Sequence, residues 1–310
     1  MFNVRPAEPA EYRRVLYETL SHPESTPGQR ERQIDSFQRF VNELRLDLTR
    51  HWVAEDGPHW LAAASFVESP GRTAMLFLSP GFDMSDRRPA ASALIQRVLA
   101  FAQPRGVRIV QALLEAPACS SQPLADNGFA RLAQLDYLDR PTLLQTGLNQ
   151  RPIAERIGWQ PYAVDQHRLF AETILRTYEN SLDCPGLNGV RHIDDVMAGH
   201  RASTRFDPDR WVVMLADGRP AGCLLLGEIP FRSAAEIVYM GLTPEARGRG
   251  WSGLLLAKAV ELARAASLAT LTLAVDGANA PALRAYQRFG FRRSARRDAW
   301  IRILDGQTEG

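Results

Sequence analysis

The stretch Arg247-Gly248-Arg249-Gly250-Trp251-Ser252-Gly253 sets three glycines and two arginines within seven residues. An apolar run, Val238-Tyr239-Met240-Gly241-Leu242, leads through Thr243-Pro244 into it. Behind it, Gly253 to Ala265 carries Leu254, Leu255, Ala257, Val260, Leu262 and Ala263 at helical spacing. The order is therefore strand, glycine turn, helix. A helix start leaves several backbone N–H groups unpaired and carries partial positive charge. Glycines let a ligand come close to the backbone. Together these features predict a bound pyrophosphate, with Arg247 and Arg249 adding cationic donors for its oxygens. A plain helix cap would need one glycine, not three.

Outward from this turn the chain reads as two copies. Trp52-Val53 and Trp211-Val212 each open a pair of strands broken by a turn, at Glu55-Asp56-Gly57-Pro58 and at Ala216-Asp217-Gly218-Arg219-Pro220. Apolar strands follow at Leu61 to Val67 and Ala221 to Leu226, then at Ala74 to Leu78 and Val238 to Leu242. Each copy continues with a helix (Ala91 to Gln103; Gly253 to Ala265) and a strand (Val107 to Leu114; Leu268 to Val275). Each then has a second helix ending in Gly-Phe, at Gly128-Phe129 and Gly290-Phe291. The offset between copies is 159 residues at the tryptophans, 164 at Pro80 and Pro244, and 162 at the final glycines. Order and spacing held over that length predict two α/β domains, at 1–147 and 152–310. The boundary is expected near Thr142 to Pro152, and Pro161-Tyr162 restarts the second copy before a helix over Asp165 to Tyr178. A chain of 310 residues, 45% hydrophobic, fits two domains better than one.

Two nucleotide readings of the turn compete. Gly248-x-Gly250-x-x-Gly253 matches the dinucleotide fingerprint, and Asp276 ends the next strand where a ribose-binding acid would stand. Thr243 to Arg247 intervene between strand and first glycine, however, and too little chain remains after Asp276 for the sheet that fold needs.

The alternative is that residues 155 to 305 resemble the GNAT N-acetyltransferase superfamily. Arg247-x-x-Gly250-x-Ser252 meets its Arg/Gln-x-x-Gly-x-Gly/Ala pattern, with serine at the last position. The later segment Asn279-Ala280-Pro281-Ala282-Leu283-Arg284-Ala285-Tyr286-Gln287-Arg288-Phe289-Gly290-Phe291 fits as well. Glu236 to Leu242, running into Pro244, resembles the tandem members of the family in particular. The resemblance implies a fold of two tandem GNAT-like domains, each a mixed sheet flanked by helices. It also implies that acetyl-CoA lies in a cleft between the splayed strands Ile237 to Leu242 and Leu271 to Val275. The backbone of Leu242 would face the pantetheine arm. Gly248, Arg249, Gly250, Trp251 and Ser252 would cradle the pyrophosphate, with Gly253 opening the helix and Asn279 capping the next helix or touching the ligand. Tyr286 would protonate the departing thiolate.

An amine acceptor needs a base. Its pKa of about 10.4 leaves only about one in a thousand unprotonated at neutral pH, costing roughly 4 kcal/mol. Glu236, entering the strand beside the cleft, is the first candidate and Glu228 the second. Nothing marks a nucleophile for a covalent intermediate, so direct attack on the thioester is expected, with a small-molecule or peptide amine as acceptor. Its pocket is expected around Tyr178 to Asn188. A scaffold or sensor that binds acyl-CoA without reaction would keep the turn and need neither Tyr286 nor Glu236. A purely structural pair of dead copies would bind no coenzyme.

The first copy lacks these groups. Its turn reads Asp86-Arg87-Arg88-Pro89-Ala90-Ala91-Ser92, without glycine. The 162-residue offset sets Leu124 where Tyr286 stands, and the 164-residue offset sets Arg72 where Glu236 stands. This copy is expected to be non-catalytic. The remaining composition excludes more than it suggests. Net charge is +2, Lys258 is the only lysine, and no charge run suggests nucleic acid. Cys119, Cys184 and Cys223 are too few for a disulfide framework, and Cys223 reads as buried filler. The histidines show no metal spacing, so no metal is expected. The charged start and the short apolar runs predict a cytoplasmic protein without signal peptide or membrane span. The oligomeric state is not legible.

Overall fold

The computed structural model describes residues 2–20, 25–115, 121–144 and 154–304. Cys119 and positions 145–152 of the expected boundary lie outside them. The chain is α/β and forms two compact units. They do not follow the expected cut. One unit joins Met1–Leu132 to Arg297–Gly310, and the other is Ala133–Arg296.

The first unit contains β1 (Asn3–Pro6), α1 (Tyr12–Leu20), α2 (Pro27–Glu43), β2 (His51–Asp56), β3 (His59–Ser69) and β4 (Thr73–Leu78). It continues with α3 (Arg88–Ala102), β5 (Ile109–Glu115), α4 (Gln122–Asp126) and the start of β6 (Ala130–Pro141). Strands β1 to β4 pair antiparallel in sequence order, and β4 pairs β5 in parallel. The next partner of β5 is the far end of the chain, residues 297–303 of β12 (Arg292–Ile303). Side chains alternate between the faces of the sheet. Trp52, Ala54, Ala62, Ala64 and Phe66 pack with the buried face of α3, while Val53 and Ala63 meet Val15 of α1. Helix α2 starts on a capping box, in which Thr26 and Gln29 satisfy each other's backbone N–H.

The second unit repeats this order. It holds β7 (Ile157–Pro161), α5 (His167–Tyr178), α6 (Ile193–Ala202), β8 (Trp211–Ala216), β9 (Arg219–Ile229) and β10 (Ala234–Leu242). Then come α7 (Ser252–Ala265), β11 (Thr270–Asp276) and α8 (Ala280–Arg288). Strands β7 to β10 are antiparallel, β10 and β11 parallel, and β11 pairs antiparallel with residues 135–141 of β6. Each sheet is thus completed by the last strand of the other copy. Strand β9 is buried on both faces, as its unbroken run Ala221-Gly222-Cys223-Leu224-Leu225-Leu226 anticipates. Val212, Met214, Leu224 and Leu226 join Leu255, Leu256, Ala259 and Val260 of α7 in one core. Trp211, Val213, Cys223 and Leu225 join Phe170, Ile174 and Met197 of α5 and α6 in another. Burial pushes the Cys223 thiol up to about 12, so it is filler and no nucleophile at neutral pH. No helix among the described residues is long and apolar enough to cross a membrane.

Candidate active site

Strands β10 and β11 pair for only three residues, Ala234 with Thr270, Ala235 with Leu271 and Glu236 with Thr272, and then part. Beyond that vertex β10 stays on β9, but the register shifts between Ile237 and Tyr239 and leaves Val238 as a bulge. A bulge bends its strand and re-aims the side chains around it. The wedge opens into a cavity of about 400 Å³, walled by Ile237 to Leu242 on one strand and Leu273 to Val275 on the other. Gly248, Ser252, Asp183, Asn279 and Tyr286 also line it. It is therefore the splayed cleft the sequence leads one to expect.

At one end lies the glycine turn. Gly248 and Gly250 have φ of 75° and 81°, the left-handed region that favours glycine, and an added Cβ at either would meet open space. The backbone N–H groups of Gly248, Arg249, Gly250, Trp251 and Ser252 find no acceptor among the described residues. Gly253 is different, because its N–H closes on the Gly250 carbonyl at 3.1 Å. Five consecutive free donors at the start of a helix make an anion site without any side chain.

The expected side-chain donors are engaged elsewhere. Arg247 donates through Nε to the Leu242 carbonyl (3.2 Å), through Nη1 to those of Glu179 (2.7 Å) and Asn180 (3.3 Å), and through Nη2 to that of Thr177 (2.8 Å). It ties the end of α5 to the end of β10 and has little left for a phosphate. Arg249 pairs with Glu155 at 2.5 Å and lies over the Trp251 ring. The Trp251 ring is in the α7 core, so only its backbone faces the turn.

Tyr286 projects from α8 into the cavity with its ring held edge-on to Phe291 at 5.6 Å. Its hydroxyl has no partner among the described residues. Burial first, and then the Asp183 charge, raise its pKa, so the phenol keeps its proton at neutral pH. Asn279 caps α8, its Oδ1 accepting from the Ala282 N–H at 3.3 Å. Asp183 is a residue that sequence reasoning missed, since no motif surrounds it. It accepts from the Asp276 N–H at 3.0 Å, and burial raises its pKa. The Asp276 carboxylate accepts from the N–H groups of Ala278 (2.9 Å) and Cys184 (3.3 Å). It fastens the loop after α5 and is not presented to a ribose.

Glu236 stands at the vertex but does not line this cavity. It borders a second one of about 490 Å³ together with Tyr137, Asp139 and Thr272. Leu273 borders both, so the two spaces approach each other where the strands part. Burial pushes the Glu236 carboxyl up to about 7, without an opposing cation. The second candidate, Glu228, is neutralised by Arg205 at 2.8 Å and Arg210 at 3.5 Å.

Register also corrects the match between copies. Met75 occupies the last parallel pair of β4 with β5, so Met75, not Arg72, stands where Glu236 stands. Arg72 lies in the preceding turn, with its Nε on the Gly106 carbonyl. Leu124 is fully buried in the α3 core.

Residues 176–291 match the acetyltransferase (GNAT) family. A mycothiol acetyltransferase from Clavibacter michiganensis is 28% identical over 281 residues, covering 86% of this chain and 87% of that protein. In fold, the chain is similar to a GCN5-related N-acetyltransferase from Sphaerobacter thermophilus, with TM-score 0.61, 16% identity, and 98% and 96% of the two chains covered. It is also similar to a tandem GNAT protein from the clavulanic acid biosynthesis pathway, with TM-score 0.53, 14% identity, and 99% and 100% covered. The glycine turn and the segment from Asn279 to Phe291 both fall inside the residues that match the acetyltransferase (GNAT) family.

Proposed function

We propose that the chain moves an acetyl group from acetyl-CoA to the primary amine of a small-molecule or peptide acceptor, by direct attack within the second unit. The observation that carries this reading is the row of five free N–H groups from Gly248 to Ser252 at the mouth of the β10–β11 wedge. That row fits a pyrophosphate, and the wedge fits the pantetheine arm that follows it.

The amine nitrogen attacks the thioester carbonyl carbon, and the carbon–sulfur bond then breaks. Glu236 accepts the proton released by the amine, directly or through water. A carboxyl held near 7 is matched to that task at neutral pH. Tyr286 gives its proton to the departing thiolate. A thiol of pKa about 8.5 leaves fairly well unaided, so this help is useful and not indispensable. Burial, and after it the Asp183 charge, raise the pKa of the phenol, which carries its proton at neutral pH, and Asn279 caps the start of α8.

A thermal melt of the full chain with saturating acetyl-CoA, and NADH as control, tests the reading. Ligand at a hundred times its dissociation constant stabilises by about 2.7 kcal/mol, a shift of several degrees. The shift is expected with acetyl-CoA alone and is lost in Gly250→Asp. No shift with acetyl-CoA removes the reading, and a shift with NADH alone revives the dinucleotide one.

A further inference from the structure

The second cavity, of about 490 Å³, is left over by the coenzyme reading, and every residue that borders it belongs to the second unit. Its floor follows from strand register. Glu236 pairs with Thr272 and Thr272 with Asp139, so these three side chains form one row across β10, β11 and β6 on one face of the sheet. Leu271 and Leu273 alternate with Thr270 and Thr272 along β11 and are buried in the α7 core, so the row lies on the face turned away from α7. Two strand spacings, roughly 10 Å, separate the backbones of Glu236 and Asp139. Along β11 the same face continues from Thr272 to Ala274, which lines the wedge. Two residues of extended chain cover about 7 Å, so a molecule in the second cavity lies within reach of the thioester end of the first.

The row is acidic and unpaired. Neither Glu236 nor Asp139 makes a hydrogen bond or ion pair among the described residues. Other carboxylates at this edge are treated differently. Asp136, three residues before Asp139 on the same strand, accepts from Arg296 at 2.6 and 3.0 Å and lies 3.5 Å from Arg293. Glu228 on β9 is held by Arg205 and Arg210. Arg232 borders the cavity from the turn between β9 and β10, but its side chain is exposed and pairs with neither acid of the row. The hydroxyls of Thr270 and Thr272 also have no partner among the described residues. Carboxylates drawn partly out of water without a cation are costly, and the cavity is large enough for a ligand to bring one. An ammonium carries three donors and no acceptor, and two carboxylates flanked by two hydroxyls offer the complementary set.

We propose that this second cavity holds the amine acceptor and that the acceptor carries two positive charges: one amine reacts beside Glu236 while a second ammonium or guanidinium rests on Asp139. The assignment rests on the acyl-transfer reading of the adjoining wedge. Asp139 stands on the strand that the first copy contributes, so the first copy sets part of the specificity of the second. The acceptor class is a diamine or another amine with a distant second cation, and not a simple monoamine.

The test uses the full chain, acetyl-CoA and straight-chain amines, read by release of free thiol. One arm compares 1,4-diaminobutane with butylamine, and the other compares 1,6-diaminohexane with hexylamine. In at least one arm the diamine is expected to exceed the monoamine tenfold or more in kcat/KM, and the arm that does so reports the spacing of the two cations. Asp139→Asn is expected to remove that preference through KM, and Asp139→Glu to restore part of it, with the acetyl-CoA melting shift of both variants intact. If Asp139→Asn fails to fold, the preference of the unaltered chain decides alone. Equal or better use of the monoamines overturns the proposal, as does a diamine preference that survives in a folded Asp139→Asn chain. So does failure to acetylate either diamine while acetyl-CoA still raises the melting temperature. Absence of that melting shift brings down the acyl-transfer reading itself.

Discussion

The turns before α3 and α7 occupy the same place in two copies of one fold and have opposite chemistry. Before α3, the N–H groups of Arg87 and Arg88 both reach the Met84 carbonyl, at 2.9 and 2.8 Å, and Pro89 has no N–H to offer. Before α7, five N–H groups in a row have no acceptor among the described residues. The strands ahead of the turns differ in the same sense. Strand β4 pairs with β3 in unbroken register, whereas β10 carries the Val238 bulge and three more residues between vertex and proline. In the first copy Leu76, Leu94 and Leu124 are buried in one apolar core; in the second the strands part around a cavity. A binding site in this fold is therefore made by withholding backbone bonds and packing atoms, and it is lost when the turn closes on itself.

Converting the live turn into the closed one is the strongest way to break this contrast. Gly248→Arg with Gly250→Pro copies Arg87 and Pro89 and is expected to weaken acetyl-CoA at least about 100-fold, seen as loss of the melting shift by about 2.7 kcal/mol. Replacing the vertex acid comes next. Glu236→Gln is expected to lower kcat/KM about 10²–10⁴-fold while acetyl-CoA still binds. Tyr286→Phe should cost about 10²-fold or less, because the thiolate leaves without much help. A fall of this kind with unchanged binding also counts against a non-catalytic acyl-CoA scaffold. The pH profile sharpens the assignment. With the Glu236 carboxyl near 7, kcat/KM should fall about tenfold per unit below that pH, and this limb should vanish in Glu236→Gln.

The smallest effect is on stability. A carboxyl whose pKa rises from 4.5 unfolded to about 7 folded holds more protons in the folded state between those values. Stability therefore declines as pH rises through that window. Glu236→Gln should then be more stable than its parent at pH 8, by at most about 3 kcal/mol in denaturant titration. A less stable Glu236→Gln at pH 8 would contradict the unpaired, desolvated carboxyl.

Much of this was legible in the residues. The strand, turn and helix around Gly248 to Gly253 and the doubled order of elements follow from periodicity and glycine spacing, while Asn279 and Tyr286 were singled out by the resemblance to the GNAT superfamily. Other features were hidden for physical reasons. Periodicity records which face of a strand is buried but not which of two equivalent strands it joins, so the exchange of β6 and β12 left no mark. The stretch from vertex to proline is three residues longer in the second copy, the Val238 bulge being one of them, which is why an offset taken at the prolines set Arg72, and not Met75, opposite Glu236. Arg247 has the charge for a phosphate, yet only coordinates reveal the four carbonyls that occupy it. Asp183 sits in a segment without pattern and acquires meaning from its neighbours.

The exchanged strands bear on how such a protein can evolve. A duplicated enzyme that keeps one working site would ordinarily be free to shed the silent copy by deletion. Here the first copy contributes residues 135–141, which cover the edge of β11, the strand whose other side opens into the cavity of the wedge. The second copy in turn contributes residues 297–303, which pair with β5. Truncation at the midpoint would leave each remnant with a bare sheet edge, prone to pair with foreign strands. The turn of the first half is free to drift, but selection on the second half keeps the first half's last strand in the gene.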